Sequence, residues 1–307
     1  MLSEKSIESY FRTLQDEICQ GLEKADGKGK FVEDLWTRPE GGGGRTRIIT
    51  NGNVIEKGGV NFSAVHGPCP DFLRKEAGLE GNEDATFYAT GTSMVIHPVN
   101  PMVPIIHMNV RYLKAGNLEW FGGGIDLTPH YIFEEDAKFF HTHLKKVCDE
   151  HTIQPLKRGE GDYYPEFKKW ADDYFFIQHR NETRGIGGIF FDRLSAKDAI
   201  SIDDRFKFVQ AVGNSFLPVY LPLLEKNKNK PYTEDNRQWQ LLRRGRYVEF
   251  NLVYDRGTKF GLLTNGRTES ILMSLPPTAN WEYSNQPAKD SLEEKTLGLL
   301  KKGIEWA

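Results

Sequence analysis

The sequence predicts an α+β fold in a single domain spanning residues 1–307, with antiparallel strands and helices lying between and outside them. Three observations carry that expectation. Asn51-Gly52-Asn53 sits between two β-like runs, the composition of a local hairpin. Residues 104–113 alternate apolar and polar, as a half-buried strand does. Helical periodicities open and close the chain, and no internal repeat or long linker divides its 307 residues.

The first element is an amphipathic helix. Ile7, Tyr10, Phe11, Leu14, Ile18 and Leu22 recur at three- and four-residue spacings, and Gly27 to Gly29 end the pattern. A glycine-rich loop, RPEGGGGRTR at 38–47, is expected to follow. With Arg38, Arg45 and Arg47 around it, this run has the composition of a closing lid or of a simple mobile loop. Strands are expected near 87–97, 104–113, 117–121 and 187–192. Helices are expected at about 134–149, 165–179 and 203–226, the last with Ser201 as its cap. Residues 247–263, YVEFNLVYDRGTKFGLL, read as a second hairpin turning at Asp255-Arg256-Gly257, and a final helix starts near 290.

Chemistry concentrates on the 104–113 run. One face carries Ile106, Met108, Val110 and Tyr112; the other carries His107, Asn109 and Arg111. An imidazole, an amide and a guanidinium on one face can bind a carboxylate and move a proton. His107 and Arg111 project the same way within about 14 Å of strand. Asp126 follows Gly122-Gly123-Gly124, where missing side chains let a backbone approach a bulky ligand and would set the carboxylate in a site wall. Turn capping before Thr128-Pro129 is the alternative for Asp126. Arginines at separate positions, Arg111, Arg184 and Arg267 among them, suit a ligand with several carboxylates, although each taken singly also suits a surface ion pair.

Composition excludes other classes. The formal net charge of −3 and the scattered basic residues give no field for nucleic acid. Mean hydropathy is −0.54, and no apolar run reaches the roughly 18 residues of a membrane span. Acidic residues from position 4 onward argue against a targeting peptide, and three widely spaced cysteines without a CxxC point to a reducing, cytoplasmic setting. Neither glycine run has phosphate-loop or dinucleotide spacing. All eight histidines lie between 66 and 179, which invites a metal reading, yet no spacing fits a familiar signature. His97, His107, His141 and His179 could form a site only if the fold gathers them.

Longer strings settle on a family resemblance. LWTRPEGGGGRTR, GVNFSAVHG, HPVNPMVPIIHMNVRY, WFGGGIDLTP, HRNETRGIGGIFFDRL and GRTESILMSLPP, in that order over about residues 36–282, resemble the oxygen-dependent coproporphyrinogen III oxidases of haem biosynthesis. The resemblance implies a large flat antiparallel sheet sandwiched between helices, and a homodimer joined through roughly 247–282. It implies conversion of coproporphyrinogen III to protoporphyrinogen IX, two propionates becoming vinyls with loss of carbon dioxide and molecular oxygen as co-substrate. The resemblance implies no required cofactor, neither a flavin nor, in most accounts, a metal. A divalent metal, described for some bacterial members, would fall to His97, His107, His141 and His179.

By the same resemblance, His107 corresponds to a proton donor, Asp126 to an aspartate that engages the pyrrole N–H groups, and Arg111 to the holder of the reacting propionate. Ser93, Asn109, Val110, Asn265, Gly266 and Arg267 correspond to substrate-contacting positions. Two alternatives stay open on the residues alone: a metal-dependent hydrolase or oxygenase, and a non-catalytic tetrapyrrole carrier.

Overall fold

Ser3 starts the first helix, α1 (Glu4–Asp26), by accepting the backbone N–H of Ser6 in a capping box; Gly27, at φ +77°, ends it. Its buried stripe of Ile7, Phe11, Leu14, Ile18 and Leu22 is the one the periodicity predicts. A computed structural model describes residues 2–151, 162–197, 200–263 and 266–307. After α1 come β1 (Val32–Thr37), β2 (Gly42–Thr50), β3 (Ile55–Pro68), the short α2 (Asp71–Glu76), β4 (Thr86–Pro98), β5 (Ile105–Ala115) and β6 (Leu118–Thr128). Then follow α3 (Glu134–His151), α4 (Tyr163–Tyr174), β7 (Phe176–Ile177), β8 (Glu182–Thr183) and β9 (Gly187–Leu194). The chain ends in α5 (Ile202–Asn214), α6 (Phe216–Asn227), α7 (Glu234–Val253), α8 (Arg256–Leu263), α9 (Thr268–Leu272) and α10 (Leu292–Leu299).

Seven strands form one antiparallel sheet in the order β1-β2-β3-β4-β5-β6-β9. The expected hairpin at Asn51 joins β2 to β3, and a two-residue turn at Gly116-Asn117 joins β5 to β6 with Gly116 at φ +57°. Period-2 alternation gives the sheet two unlike faces. One carries Met94, Met108, Ile125 and Ile189 in a single cross-strand row, buried in the main core with side chains of α1, α3, α5 and α6. The other carries Ser93, Asn109, His107, Arg111 and Asp126, and beside it stand parts of α7 and α9. α4 lies along β9, with Phe167 against Phe191 on the core face and Tyr174 stacked on Phe190 at 4.4 Å on the other.

Four local expectations are corrected. Gly42 to Gly44 belong to β2, so this run is no lid; Arg45 and Arg47 lie on the α1 face, each 2.7 Å from Asp16. Residues 247–263 form the end of α7 and all of α8, with Asp255 capping α8 through the Thr258 N–H at 2.7 Å. Their alternation of apolar and polar residues mimics a strand, but Tyr247, Phe250, Asn251 and Tyr254 fall at i, i+3, i+4 and i+7. The helix expected at 203–226 breaks at Ser215, because Pro218 has no N–H for the Asn214 carbonyl. The helix expected to run to 179 stops at Tyr174, where pairing of Phe176 with Thr183 and an Arg184 N–H to Phe175 O bond of 2.8 Å take the chain.

Candidate active site

The polar sheet face is assembled by register. His107 lies directly across from Val95 and Asp126, Asn109 across from Ser93 and Gly124, and Arg111 across from Gly91 and Gly122. His107 Nδ1 is 2.7 Å from Asp126 Oδ1, and Arg184 Nη2 donates to Asp126 Oδ2 at 2.6 Å. Arg184 also donates through Nη1 to Asn251 Oδ1 of α7 at 2.9 Å. Its guanidinium packs over the rings of Phe175, Tyr247 and Phe250 at 4.3–4.7 Å. These contacts form a line from the buried arginine to an imidazole at the surface: the Asp126 side chain is 2% exposed and the His107 side chain 25%.

Electrostatics sets the protonation of that line. Burial alone would raise the Asp126 carboxyl, but Arg184 and the His107 hydrogen bond outweigh it and hold the group below its ordinary value. Burial opposes the Arg184 charge as well, and Asp126 outweighs it and raises that pKa. Asp126 is therefore a carboxylate, so Nδ1 of His107 carries the hydrogen it shares. Nε2 is left as the atom that gives or takes a proton. Both Asp126 oxygens are engaged by protein groups, Oδ1 by His107 and Oδ2 by Arg184.

Arg111 donates from Nη1 to Asn109 Oδ1 at 2.8 Å, and its side chain is 37% exposed. Ser93 is half-buried beside Asn61 and Asn109. The Val110 side chain points to the opposite face and is fully buried in the core, so only its backbone faces the site plane. Arg267 pairs with Asp34 on β1 and lies 5.9 Å from the Trp36 ring. Asp34, Thr46, Asn61, Ser93 and Asn109 form one cross-strand row. At 4.7–4.9 Å per strand, that row is about 19 Å long with an arginine near each end. Gly266 precedes α9, with its N–H on the Gly261 carbonyl at 2.8 Å, and Asn265 lies outside the described residues.

The four histidines do not gather. His97 is fully buried, with Nε2 2.8 Å from Ser274 O and its ring edge-on to Tyr247; burial, then Arg244, lowers it to about 3. His141 lies on the buried face of α3 with Nδ1 on Tyr164 Oη and Nε2 on Ile186 O, each at 2.9 Å, and burial lowers it to about 3. Both its nitrogens are used within the protein as a neutral ring. His179 is exposed and sits between Glu249 at 2.8 Å and Tyr254 Oη at 2.7 Å. Among the described residues, no three His, Cys, Asp or Glu side chains are grouped as metal ligands, so this donor set does not fit a shared metal.

Two residues of the site escaped the sequence reading. Asp192 stands 2.8 Å from Arg111; its phase in Ile189-Phe190-Phe191-Asp192, opposite to the core residues, was the available signal. Asn251 was hidden because its helix was read as a strand. A cavity of about 660 Å³ lies elsewhere, lined by Tyr131, Phe133, Leu292 and Leu299.

Comparison with known proteins supplies the remaining finding. A family model described as Coproporphyrinogen III oxidase matches residues 6–306. The chain is 47% identical to an "Oxygen-dependent coproporphyrinogen-III oxidase" of Prochlorococcus marinus (strain MIT 9312), over 99% of this chain and 93% of that protein. A protein of the same description from strain NATL1A is 48% identical over 95% of this chain and 88% of its own length.

Proposed function

The chain belongs to the coproporphyrinogen III oxidase family, and we infer from that premise how its sheet face performs the oxygen-dependent oxidative decarboxylation of coproporphyrinogen III to protoporphyrinogen IX. Each of the two reacting propionates loses carbon dioxide and a hydride equivalent to become a vinyl. Dioxygen takes the hydride equivalent and one further proton and leaves as hydrogen peroxide. The protein must therefore hold a carboxylate and supply one proton. The observation that carries the reading is the Arg184–Asp126–His107 line ending on the polar face that also carries Arg111.

In this account Arg111 pairs with the reacting propionate. His107 delivers the proton from Nε2, and Asp126, charged by Arg184, orients the ring and stabilises its protonated form. Ser93 and Asn109 line the row along which the macrocycle lies, and Arg267 takes a distant propionate. A line of charges that fixes a histidine favours an enzyme over a carrier, which needs no proton donor.

We also propose a homodimer joined through 247–282, supported by exposed Leu252, Val253, Leu262 and Trp281 in that stretch. Among the described residues no helix is long and apolar enough to cross a membrane; a cytoplasmic location is proposed from the cysteine usage. Turnover without a resident metal is supported by the dispersal of the four histidines.

The test mixes anaerobic coproporphyrinogen III with metal-stripped protein, admits oxygen and follows protoporphyrin fluorescence after oxidation. Product at full rate is expected. Product only after a divalent ion is restored would return the histidines to the centre, and no product in either case would favour the carrier.

A further inference from the structure

Arg111 faces an anion of the protein's own. Its Nη2 is 2.8 Å from Asp192 Oδ1 of β9, an ion pair in which no N–H is aimed at the oxygen. β6 runs between the two residues, and two backbone features let them meet. The first is Gly122, where a Cβ would come within 2.4 Å of Asp192 Oδ1 and 2.8 Å of Arg111 Nη2. The second is a break in the β6–β9 register between Phe121 and Gly123, with Arg193 at φ +54°, a bulge that re-aims Asp192. Both side chains remain about one-third exposed, at 37% and 30%, so the pair can open without disturbing the core.

We propose that Asp192 is the exchangeable counter-ion of Arg111. It pairs with the guanidinium in the empty and product-bound protein, yields it to the substrate propionate, and recovers it when that carboxylate has left as carbon dioxide. The inference rests on the reading of Arg111 as the propionate holder. Its physical basis is that the reaction destroys the very anion that Arg111 binds. A partly desolvated guanidinium left without an anion would hold any remaining propionate, including those of product and of the half-converted intermediate. A resident carboxylate competes with them, frees the macrocycle to turn, and resets the site for the second decarboxylation.

The experiment compares Asp192→Asn, Gly122→Ala, Arg111→Ala and the Asp192→Asn/Gly122→Ala double variant. Asp192→Asn is expected to lower KM and tighten inhibition by protoporphyrin, each by roughly fivefold. It should also lower kcat and accumulate the monovinyl tripropionate intermediate. Gly122→Ala separates the pair while keeping both charges, so it should move the same quantities in the same direction. The double variant should be no worse than Asp192→Asn alone. If Asp192→Asn does not fold, Gly122→Ala carries the same readings. Wild-type KM, inhibition and intermediate ratio in both single variants, with only the melting temperature changed, would make the pair structural and overturn the proposal. Arg111→Ala with unchanged KM and kcat would instead overturn the assignment of Arg111, and the proposal with it.

Discussion

At the scale of single residues, the decisive relation is between Asp126 and the two groups that hold it. Asp126→Asn removes the counter-ion of a fully buried arginine and the partner that fixes the His107 tautomer. The expected result is a fall in kcat of about 10²–10³ with loss of stability on the order of 3–5 kcal/mol, measured by turnover and by denaturant unfolding; wild-type turnover would remove Asp126 from the chemistry. Arg184→Met tests the cause of the carboxyl's low pKa. With the cation gone, burial raises Asp126, so the acid limb of the rate–pH profile should move to higher pH; an unmoved limb would show that Arg184 only packs. His107, Asn109 and Arg111 were legible because a strand's period of two puts them on one face whatever surrounds it. Asp126 was legible only as one of two alternatives. Its salt bridge to Arg184, 58 residues away, belongs to a pairing of β6 with β9 that no local pattern announces.

At the scale of elements, β6 and α9 matter most. The triple glycine was read as room for a ligand; at Gly122 the room is filled by the Arg111–Asp192 pair, a use of space visible only once β9 is beside it. α7 shows the opposite failure. Its last turns contain enough apolar–polar alternation to imitate a strand, while the contacts that favour a helix are long-range ones through Tyr247, Phe250 and Asn251. α9 has no buried residues of its own and is held by Ser270 on Thr46 and Asn61, at 2.9 and 2.8 Å, and by Met273 over Gly59. A valine at Gly59 would meet the Met273 sulfur, so Gly59→Val is expected to undock α9. Faster limited proteolysis between 260 and 275 and lower activity, with near-native circular dichroism, would be the signature. Unchanged cleavage would mean that Met273 simply steps aside.

At the scale of the whole molecule, the β2–β3 hairpin was legible from its Asn51-Gly52-Asn53 turn and β4 to β6 from short strand-like runs. β1, exposed along almost its whole length, left no apolar pattern to find. The placement of β9 at the edge, after two intervening helices, was not legible either, because it depends on α4 packing across that edge. The same burial that makes the fold also makes it acid-sensitive. His97 and His141 are lowered to about 3 in the folded chain, against about 6.5 when unfolded. Between those values the unfolded chain binds more protons, so stability is full above pH 6.5 and falls as pH drops toward 3. Each ring contributes about 1.4 kcal/mol per pH unit in that window. Urea unfolding at pH 7, 6 and 5 should show the decline, and a flat profile would mean that the two rings protonate without unfolding. The unlike faces of the sheet have a last consequence, for time. α1 is held by a continuous apolar stripe and by Gln15 bonded to Arg45 O and Val60 O, whereas α9 rests on two bonds through Ser270 and the apolar contact of Met273. In deuterated buffer the two should keep different clocks: amides of α9 exchanging through brief local opening, those of α1 only when the whole chain lets go. On the proposed reading of this face, a large macrocycle would enter and leave many times within one lifetime of the fold.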